Sequence, residues 1–217
     1  MKITVFLVDD HAVLRDGLRL LLEANPEITV VGEADNGREA IERIGQLRPE
    51  IIIMDLAMPQ MNGIEATRAL AKTQPSAKVI ILSMHSTTEH IVSALDAGAQ
   101  GYLLKESVGA EVLDAVAAVR RGLFYWSKKI PEKVVLDCKL RASKSDAPTP
   151  LMSLSRRERE ILQLVVEGRS SAEIAQALNL SPKTVDTYRS RLMHKLDIAD
   201  VPALVKFAVQ FGLTPLQ

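Results

Sequence analysis

The 217-residue chain contains one cysteine and few aromatic residues, which make up 4% of it. The lone cysteine, Cys138, excludes an internal disulfide and a metal site built from several cysteines. No apolar run reaches the roughly 18–20 residues that a membrane span requires. Asp9 and Asp10 interrupt the apolar start of the chain, which is unlike the core of a signal peptide. We therefore expect a globular cytoplasmic protein with aliphatic cores and no membrane partner.

Charge shows no overall excess, with 27 basic and 27 acidic residues, but it is unevenly distributed. Residues 1–122 contain 12 basic and 17 acidic side chains. Residues 123–150 contain 6 basic and 3 acidic ones, and residues 151–217 contain 9 and 7. The net charges of −5, +3 and +2 do not by themselves indicate nucleic-acid binding. They do indicate that the two ends are different domains, for which the chain is long enough.

Apolar runs alternate with helical patterns throughout residues 1–122. The predicted strands cover 3–8, 29–34, 51–54, 78–82 and 101–104, and the predicted helices cover 12–25, 36–47, 62–73, 88–98 and 107–121. This alternation predicts an α/β domain with a doubly wound, five-stranded parallel sheet. Asn36 and Asn62 are predicted helix caps, and Gly98 and Gly122 are predicted helix ends.

Polar residues stand at the ends of four of these strands. They are Asp9 and Asp10, Asp55, Ser83 and Lys105. Asp55 alone could simply cap the following helix, but strand ends of an open α/β sheet converge on one crevice. Carboxylates brought together raise one another's pKa unless a cation lies among them. Their oxygens are ligands that suit Mg²⁺.

A lysine and a hydroxyl opposite such an ion would complete a site for a phosphoryl group. An aspartate can itself accept that group as an aspartyl-phosphate. Asp55 projects from the middle of the predicted set and is therefore the predicted nucleophile. A phosphatase with an aspartyl nucleophile is the enzymatic alternative, but it usually carries a second acid two residues further on, where this chain has Ala57.

Residues 1–122 resemble, over their whole length, the receiver domain of response regulators, whose strand order is 2-1-3-4-5. The resemblance implies that Asp55 takes a phosphoryl group from a histidine kinase. It also implies that Mg²⁺ is bound by Asp10, Asp55 and the backbone carbonyl of Ala57, with assistance from Asp9. Beyond self-phosphorylation and dephosphorylation at Asp55, no enzymatic activity is expected.

The same resemblance gives roles to three residues on the other side of the predicted crevice. Lys105 would pair with the acyl phosphate. Ser83 and Tyr102 match the family's switch pair, in which the hydroxyl moves toward the phosphoryl group and the aromatic ring turns inward. His85 could affect water access to the acyl phosphate, although a residue of a surface loop is the favoured interpretation.

Residues 123–150 lose the alternating pattern and become rich in lysine, serine and proline, which predicts a linker. A short helix over 132–140, with apolar residues on one side, is an alternative for its middle part. In that helix Cys138 would be a small buried residue.

Residues 151–217 show a purely helical pattern, which predicts a small all-α domain of four helices. Ser155 and Glu158 have the spacing of a capping box, and Ser171 and Ser181 are predicted caps of the next two helices. A short helix, a tight turn and a longer helix form a helix-turn-helix. A plain helical bundle with a solvated face is the alternative.

The longer helix has a predicted buried stripe and a polar face. The stripe is Val185, Tyr188, Leu192 and Leu196. The polar face, with short hydrogen-bonding groups flanked by cations, has the character of a major-groove surface. The predicted DNA contacts are Lys183, Thr184, Asp186, Thr187, Arg189, Ser190, Arg191, His194 and Lys195.

This segment also resembles the LuxR-type helix-turn-helix domain. The resemblance rests on Leu154-Ser155-x-Arg157-Glu158-x-Glu160-x-Leu162 and Gly168-x-Ser170-x-x-Glu173-Ile174-Ala175-x-x-Leu178-x-x-Ser181-x-x-Thr184-Val185. The chain is thus similar to the NarL/FixJ class of response regulators. The resemblance implies bases facing Asp186, Thr187 and Ser190, phosphates facing Lys183, Arg189, Arg191 and Lys195, and a dimer contact from the last helix.

Two departures from the LuxR-type pattern prevent a transfer of base preference. Family members often have Ser-Asn-Lys-Glu where this chain has Ser170-Ser171-Ala172-Glu173, and a histidine where it has Tyr188. The leading hypothesis is a transcription factor that binds promoter DNA, as a homodimer, when a sensor histidine kinase phosphorylates it. A protein-interaction module that never requires phosphate is the alternative.

Overall fold

The computed structural model describes residues 2–143, 150–211 and 213. The chain divides into two compact units, Met1–Ser143 and Lys144–Gln217. Within the described residues, no helix combines the length and the apolar character that crossing a bilayer demands.

The first unit alternates strands and helices from its start. Its elements are β1 (Ile3–Val8), α1 (Ala12–Glu23), β2 (Ile28–Ala34), α2 (Gly37–Leu47), β3 (Ile51–Asp55), α3 (Gly63–Thr73), β4 (Lys78–Ser83), α4 (Thr88–Ala97), β5 (Gly101–Leu104), α5 (Val108–Arg120), β6 (Tyr125–Trp126) and α6 (Glu132–Ser143). All strand pairs are parallel, in the order β2-β1-β3-β4-β5-β6. The predicted parallel α/β sheet is confirmed. The prediction of five strands is corrected to six.

The sheet separates two hydrophobic cores, because successive side chains of a strand point to opposite faces. In β3, Ile52 and Met54 belong to one core, while Ile51 and Ile53 belong to the other. All five residues of β3 are buried, as expected for a central strand covered by helices on both faces. Asp55 therefore stands at the end of a fully buried strand.

Helix ends in the first unit follow the sequence signals. The side chain of Asn36 accepts hydrogen bonds from the backbone of Arg38 and Glu39, and that of Asn62 accepts one from the backbone of Glu65. Gly98 ends α4 with a φ of 103°, a left-handed conformation that glycine adopts without strain. These predicted caps and this predicted helix end are confirmed.

The structure places the first domain boundary later than residue 122. Strand β6 pairs with β5, and α6 packs on α4, so residues 123–143 of the predicted linker belong to the first unit. Ile130 and Cys138 are buried in the same core as Tyr102. Strand β6 was missed because a two-residue strand has no periodicity. The alternative of a short helix over 132–140, with Cys138 buried, corresponds to α6. The predicted linker residues 144–149 lie outside the described residues.

A buried acid on α5, which has no distinguishing signal in the sequence, ties the β6 segment to this unit. The carboxylate of Glu111 accepts hydrogen bonds from Tyr125 Oη, Ser127 Oγ and the backbone N of Lys128, each at 3.0 Å. Burial raises the pKa of Glu111, but these hydrogen bonds outweigh it and hold the pKa below the ordinary 4.5. The ionised carboxylate is thus the form that the fold requires.

We expect Glu111→Gln to destabilise the first unit by about 1–3 kcal/mol, because the amide presents a donor to groups that need an acceptor. The ionised Glu111 stabilises the fold above pH about 4.5, and this contribution is lost as the pH falls through its lowered folded pKa. Hydrogen-exchange mass spectrometry at pH 7 measures this loss of stability as reduced protection in peptides of the first unit. Peptides of the second unit serve as the reference. Unchanged protection, equal to that of the exposed control Glu132→Gln, would contradict the prediction.

Among the described residues of the second unit there are four α-helices, as predicted. After a 3₁₀ turn at Pro150–Ser153 they are α7 (Arg156–Val166), α8 (Ser171–Leu178), α9 (Pro182–Leu196) and α10 (Val201–Gln210). The capping box of Ser155 and Glu158 is confirmed, and so is the cap Ser181. The prediction that Ser171 caps α8 is wrong. Ser170 is the cap, because it stands three residues before Glu173 and forms a second capping box with it.

Helix α9 is held by its predicted apolar stripe. Val185 and Leu192 are fully buried, and Tyr188 and Leu196 pack against the same core. The turn between α8 and α9 passes through Asn179, whose φ of 53° allows the sharp change of direction. The helix-turn-helix arrangement leaves the opposite face of α9 accessible.

Candidate functional sites

Three strand ends of the first unit bring charged side chains to one point. Lys105, which follows β5, places its Nζ 2.8 Å from Asp9 Oδ2 and 3.0 Å from Asp55 Oδ2. The two carboxylates are almost inaccessible to solvent, and the lysine side chain is only 10% exposed. A single buried cation therefore lies between two buried anions, as the convergence of parallel strand ends predicted.

The acidic cluster extends beyond this pair. Oxygen atoms of Asp9, Asp10 and Asp55, with a ring nitrogen of His11, all lie within 4.8 Å of one another. Asp10 and His11 are exposed, so the cluster is open to solvent on that side. Three carboxylates are a donor set that fits a hard divalent cation. Ala57, whose carbonyl is the other predicted ligand, is half-buried in the loop after β3.

The electrostatics of Asp55 reflect this crowding. Burial and the negative charge of Asp9 raise its pKa from 3.8 to about 7, although Lys105 opposes the shift. A divalent cation among the carboxylates would stabilise the ionised form in the same way as Lys105 does. The cluster thus has the charge and the ligand atoms of a cation site.

The loop after Asp55 ends on a glycine that the fold requires. Gly63 is the first residue of α3, and a Cβ built on it would lie 2.0 Å from the backbone oxygen of Asp55. Its backbone N donates to the carbonyl of Leu56 at 2.9 Å. The helix can therefore start directly against the backbone of Asp55 only because residue 63 has no side chain.

Ser83 and Tyr102 are connected through one residue of the loop after β4. Ser83 Oγ accepts a hydrogen bond from the backbone N of His85 at 3.0 Å, and Tyr102 Oη donates to the backbone O of His85 at 2.8 Å. Tyr102 is completely buried, and burial raises its pKa. His85 is in a loop, as the favoured interpretation had it. It is half-buried and its ring stacks on that of His90, with 4.7 Å between centroids.

Seven of the nine predicted DNA contacts are exposed on α9. Lys183, Asp186, Thr187, Ser190, Arg191, His194 and Lys195 are exposed, and Thr184 and Arg189 are half-buried. Two hydroxyls already have partners within the unit. Thr184 Oγ1 lies 2.8 Å from Ser181 Oγ, and Thr187 Oγ1 donates to the backbone O of Lys183 at 2.9 Å.

Two further polar side chains of α9 bond to other helices. Asp186 and Arg189 both contact Ser171, at the start of α8. Lys195 Nζ lies 2.8 Å from the buried carboxylate of Glu158, the partner of Ser155 in the capping box of α7. In this structure Lys195 holds the last turn of α9 to the start of α7, a contact between residues too distant in sequence for the motif to indicate.

Comparison with family models identifies both units. Residues 5–117 match the response regulator receiver domain, and residues 152–208 match the bacterial regulatory proteins of the luxR family. The transcriptional regulatory protein LiaR of Bacillus subtilis is 40% identical over 198 residues, 91% of this chain and 92% of LiaR. The response regulator UvrY of Escherichia coli is 37% identical over 211 residues, 97% of this chain and 95% of UvrY.

Solved structures show the same similarity. A structure of the response regulator RcsB of Salmonella typhimurium has a TM-score of 0.64 at 29% identity, covering 97% of this chain and 98% of RcsB. An RcsB–DNA complex has a TM-score of 0.57, also at 29% identity, over 97% of this chain and 99% of RcsB.

Proposed function

The chain belongs to the response regulators that join a receiver domain to a LuxR-family DNA-binding domain, and from this premise we propose that a phosphoryl group on Asp55 controls its binding to promoter DNA. Its role as a DNA-binding regulator of a two-component system follows from the family. The proposal about Asp55 rests chiefly on one observation, the position of Lys105 Nζ 2.8–3.0 Å from the buried carboxylates of Asp9 and Asp55.

In the proposed reaction a carboxylate oxygen of Asp55 attacks the phosphorus of a phosphohistidine on the sensor kinase. A P–O bond forms, the P–N bond breaks, and the imidazole nitrogen leaves with the electron pair and takes a proton. Lys105 is close enough to Asp55 to offset the negative charge of the new phosphoryl oxygens. Hydrolysis of the acyl phosphate later restores the carboxylate.

The ligands of Mg²⁺ in this proposal are Asp10, Asp55 and the carbonyl of Ala57, with Asp9 beside them. When bound, Mg²⁺ supplies positive charge that lets the carboxylates and a phosphoryl group share the crevice. Asp10, the most exposed carboxylate of the three, leaves the site open to the entering group.

Ser83 and Tyr102 carry the signal in this proposal. A Ser83 hydroxyl that turns toward the phosphoryl group gives up the hydrogen bond from His85, and the loop before α4 shifts with it. Tyr102 follows the same loop through its bond to the carbonyl of His85. Because α6 packs on α4 and leads into the second unit, a shift of α4 reaches the chain that connects the units.

The output is binding of a homodimer to an inverted repeat in promoter DNA, in the cytoplasm where that DNA is found. The exposed face of α9 would enter the major groove, and the two half-sites would be spaced by the helical repeat. Ser190, Arg191 and His194 are exposed along that face, and Lys183 lies near its start. Short polar groups would contact base edges, and the cations would contact phosphates.

Selection of DNA from a random pool, with and without Mg²⁺ and acetyl phosphate, tests this function. We expect an inverted repeat to be enriched only with the phosphoryl donor, and the enrichment to disappear in Asp55→Asn. Equal enrichment without the donor would mean that the protein binds DNA but that phosphorylation does not control this binding. No enrichment in either arm would favour a module that binds a protein partner.

A further inference from the structure

A chain of hydrogen bonds connects the first residue of α8 to the recognition helix α9. Ser171 Oγ donates to Asp186 Oδ1 at 2.6 Å, and Arg189 Nη1 donates to Ser171 Oγ at 2.9 Å. The hydroxyl thus acts as donor to an acid and as acceptor from a base, which uses both functions that a serine side chain offers. The two partners lie one turn apart on the same face of α9.

This arrangement matters because Asp186 is exposed and Ser171 and Arg189 are half-buried. An exposed carboxylate normally samples several side-chain conformations, and ordering it on binding costs conformational entropy. The short bond from Ser171 holds Asp186 in one orientation before any DNA arrives. The hydroxyl also links the carboxylate to the guanidinium of Arg189, which moderates the negative charge of an acid that must approach a polyanion.

We propose that Ser171 is a specificity-determining positioning residue for DNA recognition. It contacts no base in this proposal; it sets the direction in which Asp186 presents its carboxylate and Arg189 its guanidinium. In the major groove a carboxylate accepts a hydrogen bond from the N4 amino group of cytosine. The ligand feature that Ser171 selects, through Asp186, is therefore a C·G base pair at one position of each half-site.

The inference rests on the proposed contact of α9 with bases and goes beyond it. The LuxR-type pattern often has asparagine where this chain has Ser171, and an amide would accept from Arg189 through its oxygen and donate to Asp186 through its nitrogen, on two atoms instead of one. The single hydroxyl oxygen of Ser171 therefore orients Asp186 and Arg189 differently from a two-atom amide, and we expect the base preference of this chain to differ accordingly.

The test is selection from a random DNA pool with the full chain, Mg²⁺ and acetyl phosphate. It compares the natural protein with Ser171→Ala, Ser171→Thr and Asp186→Asn, and uses Gln176→Ala, an exposed change on α8, as the control. We expect Ser171→Ala and Asp186→Asn to lose about tenfold discrimination at the same base pair of each half-site. Ser171→Thr retains the hydroxyl and should retain the discrimination. The control Gln176→Ala should select the same DNA sequence as the natural protein.

Circular dichroism melting separates positioning from folding. An unchanged melting temperature of Ser171→Ala, together with a loss of preference at one position only, supports the inference. The inference is overturned if Ser171→Ala selects the same DNA sequence as the natural protein with full discrimination. It is also overturned if base discrimination weakens uniformly at every position and the melting temperature falls. If the natural protein itself enriches no sequence, the proposed function fails together with this inference. If the natural protein selects a sequence but Ser171→Ala and Asp186→Asn change the base preference at different positions, the inference alone fails.

Discussion

Asp55→Asn leaves the first unit folded but abolishes the addition of a phosphoryl group from acetyl phosphate in the presence of Mg²⁺. Asn has the shape of Asp and keeps an oxygen for Lys105, which lies 3.0 Å from the natural carboxylate. Its amide is neutral and is not a nucleophile toward phosphorus, so no acyl phosphate forms. Intact-protein mass spectrometry measures the result directly, as the loss of the species that is heavier by one phosphoryl group.

The matched control for this experiment is Asp16→Asn, an equally conservative change on the exposed side of α1. It should be phosphorylated to the same extent as the natural protein. Persistent labelling of Asp55→Asn would mean that another residue accepts the phosphoryl group. In that case the buried set of Asp9, Asp55 and Lys105 would have to serve another purpose.

Gly63→Ala damages both the stability and the phosphorylation of the first unit. The added Cβ would lie 2.0 Å from the backbone oxygen of Asp55, a distance that forces α3 or the end of β3 to move. Because the obstacle is backbone rather than a flexible side chain, we expect a loss of about 3 kcal/mol or more in the free energy of unfolding. Displacement of Asp55 by about an ångström should slow phosphorylation by about a hundredfold.

Urea denaturation and the rate of phosphorylation by acetyl phosphate measure the two effects of Gly63→Ala. Gly45→Ala is the control, because Gly45 lies inside α2 and its Cβ would meet nothing within 4 Å. That change should leave the free energy of unfolding unchanged or raise it by about 0.4–1 kcal/mol, because alanine lowers the conformational entropy of the unfolded chain. If Gly63→Ala behaved like Gly45→Ala, the close approach of α3 to Asp55 would not exist in solution.

The features that the sequence predicted are those with a periodic or directional signal. Strands β1 to β5 alternate with amphipathic helices, and parallel strands place their carboxyl ends at one edge of the sheet. The convergence of Asp9, Asp55 and Lys105 follows from that rule without knowledge of any side-chain contact. The caps Asn36 and Asn62 follow equally from local chemistry.

The features that were missed depend on contacts between residues distant in sequence. Strand β6 is too short for periodicity, and α6 reveals its partner only when α4 is in place. Glu111, on a largely apolar helix, has the sequence signature of a solvated acid, yet these hydrogen-bond donors lie 14–17 residues away. The spacing of Ser170 to Glu173 is a local capping-box signal that points to Ser170 as the cap of α8. The contacts of Ser171 with α9 join residues 15 and 18 positions apart, and no local signal indicates them.

The two-residue strand β6 gives the protein an optical reporter of its own. Trp126, the sole tryptophan of the chain, is paired with Tyr102 in the register of β5 and β6 and packs against the core that contains it. Its indole also lies against the ring of Phe124, with 4.4 Å between centroids. A rearrangement around Tyr102 would therefore change the surroundings of this one indole, so the emission spectrum of the unlabelled protein would report the proposed switch in real time.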